Sequence, residues 1–98
     1  MTRDEALRIL RQHADALRAR GVVHLALVGS MARGDARGDS DVDVLVDIDA
    51  HRRFSLVDHS GLRLLFCDLL NHDTDVLIRD AIDPRLLPRL QHDALIIF

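Results

Sequence analysis

Between Asp41 and Asp49 the chain reads Asp-Val-Asp-Val-Leu-Val-Asp-Ile-Asp. On an extended backbone this sets Val42, Val44, Val46 and Ile48 on one side and Asp41, Asp43, Asp47 and Asp49 on the other. Period two of this kind demands a strand with one buried face, and the valine row needs a covering layer. The apolar run Val22 to Val28, interrupted only by His24 and bounded by Gly21 and Gly29, is too short for a helix and reads as a buried strand. Thr74 to Ile78 reads as a third strand.

Helices supply the cover. Leu7, Leu10, Ala14 and Leu17 recur at helical steps behind Thr2-Arg3-Asp4-Glu5, which has capping-box spacing, and Gly21 stops the run. The first helix is therefore predicted over residues 3–19. Ser30 to Arg33 can open a short helix with Ser30 near its N-cap. Leu62, Leu65, Phe66 and Leu69 form another stripe, ending near Asn71. Pro84 can begin a last helix carrying Leu86, Leu87 and Leu90. The apolar end, Ala94 to Phe98, is left either to pair as an edge strand or to meet a partner. The expected fold is α/β (α+β), a small mixed sheet of three to four strands with helices packed on one face. Residues 1–98 read as a single domain.

Composition removes several classes of function. All 13 basic residues are arginine and none is lysine, which excludes Schiff-base chemistry and a P-loop lysine. A net charge of −3 lacks the positive excess that non-specific nucleic-acid binding needs, so no direct nucleic-acid partner is expected. No stretch approaches the roughly 18 apolar residues of a membrane span. The charged start, Met1 to Glu5, lacks the apolar core of a secretory leader, and Cys67 is the only cysteine. A cytoplasmic protein is the expectation.

Chemistry concentrates in two segments, Val28-Gly29-Ser30-Met31-Ala32-Arg33-Gly34 and Ser40-Asp41-Val42-Asp43. Gly29, leaving a strand, permits a tight turn and a close backbone approach. Ser30 and the amides after it offer a phosphate site at a helix start. Asp41 and Asp43 share a strand face about 6.6 Å apart, at ~3.3 Å per residue, and can lean onto one divalent ion or an ion pair. Two aspartates side by side cost stability unless a cation offsets them. Asp47, roughly 13 Å from Asp43, is too far to join them. Asp75 becomes the third carboxylate if its strand pairs with the aspartate strand, because Val76 and Ile78 then face the core; Asp73 occupies the same face two residues earlier.

Gly29-Ser30, ten residues, then Asp41-Val42-Asp43 resembles the motif of the polymerase-β-like nucleotidyltransferases, and the fuller run is similar to their minimal (MNT) group. The resemblance implies in-line attack of an acceptor hydroxyl on the α-phosphate of a nucleoside triphosphate, with pyrophosphate leaving. It implies that Asp41 and Asp43 bridge two Mg²⁺ ions, that Asp75 completes the site of the metal activating the acceptor, and that Gly29 and Ser30 hold the β- and γ-phosphates. Arg33 would neutralise phosphate charge or brace the turn. Minimal members resemble antitoxins encoded beside HEPN-type RNase toxins, some of which they inactivate by moving AMP from ATP to a toxin tyrosine. This chain contains no tyrosine, so such an acceptor would lie on another protein.

Asp39 to Asp43 opens like an EF-hand, but position six would be Val44 rather than glycine and position twelve Ala50 rather than glutamate. The two Arg-Gly-Asp triplets read as turn residues. A module that neutralises a partner by docking alone, through Ala94–Phe98 and the leucines of the last helix, is the alternative from another class. A transferase acting on a small-molecule hydroxyl such as an aminoglycoside is a third. His72 has a chance of lining the site, Cys67 reads as a small core residue, and so small a core invites homo- or hetero-oligomers.

Overall fold

A computed structural model describes residues 1–98. Helices α1 (Arg3–Gln12) and α2 (Ala14–Ala19) lead into β1 (Val22–Val28), the short α3 (Gly29–Arg33) and β2 (Val42–Ile48). Then come α4 (Leu56–Leu70), β3 (Thr74–Ile78), a 3-10 turn at Arg79–Ala81, α5 (Leu87–His92) and β4 (Leu95–Ile96). The four strands form one mixed sheet in the order β3-β2-β1-β4, antiparallel except for the parallel β2–β3 pair. A parallel pair needs a long crossover, and α4 is that crossover. No helix is long and apolar enough to cross a membrane.

The valine row behaves as its period requires. Val42, Val44 and Val46 are fully buried with Leu10 and Leu17 from the first two helices, Met31 from α3, and Leu62, Phe66 and Leu70 from α4. Capping fixes the helix ends. Thr2 Oγ1 accepts from the Glu5 N–H at 3.2 Å. Ser55 and Asp58 exchange two such bonds at the start of α4, and Asn71 ends it in the left-handed region (φ 49°).

Three expectations are refined. The predicted first helix is broken at His13 (φ −105°, ψ 17°), a one-residue interruption that leaves Leu10 and Leu17 on the same core face. The last helix starts at Leu87, with Pro88 in its first turn, because Pro84 lies in a turn closed by the Leu86 N–H on the Asp83 carbonyl (2.9 Å). Helices also reach the second sheet face: Leu87 and Leu90 of α5 pack on Ala26, Val28 and Leu45, a smaller core on the aspartate side. The apolar terminus pairs internally, with Leu95 and Ile96 beside Leu27 and Ala26 and the Leu25 N–H donating to the Phe98 carbonyl (3.0 Å). Ile96 nonetheless stays 76% accessible, and on α4 Leu56, Val57 and Leu64 are 84%, 79% and 60% accessible.

Candidate active site

Val28, fully buried, is the last residue of β1 and the N-cap of α3, so the chain turns from strand to helix at Gly29. Gly29 adopts φ +72°, and a Cβ there would lie 2.5 Å from Asp43 Oδ2. Only glycine satisfies both constraints, because a side chain would be strained and would displace the carboxylate. Ser30 falls inside α3 rather than at its cap, and no side chain caps this helix. Arg33 Nε pairs with Asp35 Oδ2 at 3.2 Å.

On the facing strand Val28 is the register partner of Asp43, and across the parallel ladder Asp43 is the partner of Asp75. The condition attached to Asp75 is therefore met: its strand pairs with the aspartate strand, and the two carboxylates leave the sheet on one face. Val42 N–H donates to the Asp73 carbonyl (2.9 Å), so Asp73 precedes the strand and contributes its backbone to the ladder. Asp41 is exposed one residue before β2. Asp47, excluded by distance, is instead bound by Arg79 Nε at 2.8 Å.

The electrostatics are unbalanced at the centre. Burial, and then the neighbouring Asp75 and Asp41 carboxylates, push the Asp43 carboxyl above its usual range against a smaller pull from the Arg33 guanidinium. Oxygen donors of this kind suit a hard divalent cation such as Mg²⁺, and the concentrated negative charge is what such a cation offsets. The donor set fits. Its side chains are not drawn together as they stand, since no three His, Cys, Asp or Glu groups converge tightly enough to hold an ion. Asp75 Oδ1 leans toward Arg63 Nε of α4, 3.9 Å away.

Two contacts escaped the sequence. Arg63 lies opposite Asp75 only because α4 crosses back over the sheet. His72 Nε2 stands 2.7 Å from the Ser40 carbonyl oxygen, and since a carbonyl only accepts, Nε2 carries the proton. This bond ties the segment entering β2 to the one entering β3 across 32 positions, a link no local pattern announces. His72 also lines an open cavity of about 480 Å³ with Asp39, Asp41, Cys67, Asn71 and Asp73.

The profile of the family described as the nucleotidyltransferase domain matches residues 10–96. Over 86 residues, 88% of this chain and 90% of the other, the sequence is 31% identical to a candidate protein adenylyltransferase of Methanocaldococcus jannaschii. A shorter match, 46% identical over 50 residues, is to the protein adenylyltransferase MntA of Thermococcus cleftensis and spans half of each chain. Among solved structures, a candidate minimal nucleotidyltransferase superposes with a TM-score of 0.79 at 35% identity, over 97% of this chain and 95% of that one. A tri-AMPylated HEPN toxin of Shewanella oneidensis in complex with an MNT antitoxin gives a TM-score of 0.69 at 14% identity, over 94% of this chain and 71% of the matched one, a likeness of fold alone.

Proposed function

Because the chain belongs to the nucleotidyltransferase domain family, a family of enzymes, we propose that it transfers AMP from ATP to a hydroxyl of a partner protein, in the cytoplasm. The partner we favour is a HEPN-type toxin, and the accepting residue a tyrosine. The observation that carries this reading is the register of Asp43 against both Val28 and Asp75, which sets two carboxylates beside the Gly29 turn.

Asp41, Asp43 and Asp75 would hold Mg²⁺, and Gly29, Ser30 and Arg33 would take the phosphates. Magnesium, when bound, neutralises charge on the phosphate oxygens. The acceptor oxygen forms a bond to the α-phosphorus while the bond from that phosphorus to the bridging oxygen breaks. Pyrophosphate leaves with the electron pair. Asp75, on the edge strand β3, would receive the acceptor proton. Self-modification on tyrosine is impossible in a chain without one.

The test is incubation with α-labelled ATP, Mg²⁺ and the protein encoded beside it. Label should appear on that protein and be lost with Asp43→Asn; absence of label at saturating ATP would sink the reading. A second reading, neutralisation by docking alone, is favoured by the exposed α4 residues Leu56, Val57 and Leu64. Neutralisation that survives Asp43→Asn but is lost with Leu64→Arg would decide for docking.

A further inference from the structure

The sheet face that bears Asp43 and Asp75 is the one α5 covers. Leu45 and Leu77, each two residues beyond one of those aspartates, pack with Val28, Leu87 and Leu90. Leucines thus fix α5 against the residue that precedes the Gly29 turn. Between α5 and α3 lies an open cleft of about 640 Å³ lined by Arg33, Pro88, Arg89, His92 and Asp93. Two guanidiniums and an imidazole line it together with the Asp93 carboxylate. Arg33 is matched to Asp35, whereas the side chains of Arg89 and His92 have no hydrogen-bond or ion-pair partner.

Unpaired basic side chains on α5, across the cleft from Arg33 and on the sheet face that bears Asp43 and Asp75, suit a ligand with an extended, multiply charged anionic tail. We propose that Arg89 and His92 form the second wall of a polyphosphate site, holding the β- and γ-phosphates of the nucleoside triphosphate and then the released pyrophosphate. The inference rests on the nucleotidyl-transfer reading and adds to it a role for α5. In this arrangement the aspartates bind the reacting end and α5 binds the leaving end. Arg89 and His92 act as positioning residues for the leaving group.

Binding of inorganic tripolyphosphate and of AMP to the intact chain, followed by calorimetry, tests it together with steady-state transfer at varied ATP. Arg89→Gln, His92→Gln and the double variant should keep the wild-type melting temperature, since both side chains are exposed and unpaired. Arg89→Gln should weaken tripolyphosphate about tenfold and raise the KM for ATP by a similar factor, the loss of one charge-assisted contact. AMP binding should not change, kcat should fall less than KM rises, and Arg89→Lys should restore part of the affinity. Unchanged tripolyphosphate affinity and KM in the double variant would overturn the proposal. So would a rise in KM for the acceptor protein alone, which would make the cleft a docking surface. Wild-type protein that binds tripolyphosphate through these residues yet transfers no label would count against nucleotidyl transfer and leave the polyphosphate site standing.

Discussion

Asp43 lies in register with Asp75 on the neighbouring parallel strand, so two aspartates stand side by side where a sheet would ordinarily place an apolar or oppositely charged pair. The cost falls on Asp43, whose carboxyl is pushed upward by burial and then by Asp75 and Asp41. A carboxyl raised in the folded state binds its proton more tightly there than in the unfolded chain, where the value is about 3.9. The contribution of this carboxyl to stability is therefore fully present below that value and is lost as pH rises through the folded one. Asp43→Asn should raise the melting temperature at pH 7 in the presence of a chelator, by no more than a few degrees because partial exposure screens the repulsion. The gain should vanish near pH 4. A variant that melts lower than wild type at neutral pH in chelator would contradict this.

Gly29→Ala should be damaging twice over. The left-handed backbone costs a Cβ about 1–2 kcal/mol, and the new methyl would collide with Asp43 Oδ2. Transfer should be lost, and the melting temperature should fall by several degrees, at about 4–8 °C per kcal/mol for a domain of this size. Adding Asp43→Ala to Gly29→Ala should return the collision component of the stability loss and none of the backbone component, a non-additivity that a double-mutant cycle measures.

His72→Ala removes the donor to the Ser40 carbonyl and should cost about 0.5–1.5 kcal/mol, the net value of one such bond. Its sharper effect should be on Mg²⁺: the segment that delivers Asp41 loses its tie, so metal affinity should drop while the fold persists. Hydrogen exchange at Val42, whose N–H donates to the Asp73 carbonyl, should quicken. Unchanged exchange there would show that Ser40 is held by the strand alone.

Ser55→Ala should destabilise the chain by about 1 kcal/mol, because Ser55 Oγ accepts from the Asp58 N–H in the first turn of α4. Asp58 is held below the usual carboxylate range, first by the Ser55 backbone N–H and then by its hydroxyl. Its contribution is present above the unfolded value and fades as pH falls through the lowered one. Asp58→Asn should therefore melt lower than wild type at pH 7 and match it in strong acid; an equal deficit at both extremes would refute the capping role.

Much of this was readable from residue order. Val42, Val44 and Val46 are buried as their period requires, Asn71 closes α4, and the Gly29 turn lies beside Asp43. The second apolar layer was harder to see, although a trace of it was present. Leu45 stands in the aspartate row and Leu77 shares a face with Asp75, so both needed cover on the side otherwise occupied by carboxylates. Leu87 and Leu90, read as part of an interaction surface, supply it. The break at His13 leaves no mark on the hydrophobic spacing, because one displaced residue preserves the face of both flanking helices. The His72–Ser40 and Arg63–Asp75 contacts join elements far apart in the chain and depend on the crossover.

The parallel ladder between β2 and β3 has a consequence for how such a chain can vary. Sliding β3 by one position would turn Asp75 inward among the valines and expose Val76 in its place. A single insertion or deletion between Asn71 and Thr74 would therefore spoil the core and the carboxylate pair together. A new side chain should be far better tolerated at Gly38, where an added Cβ would meet nothing within 4 Å.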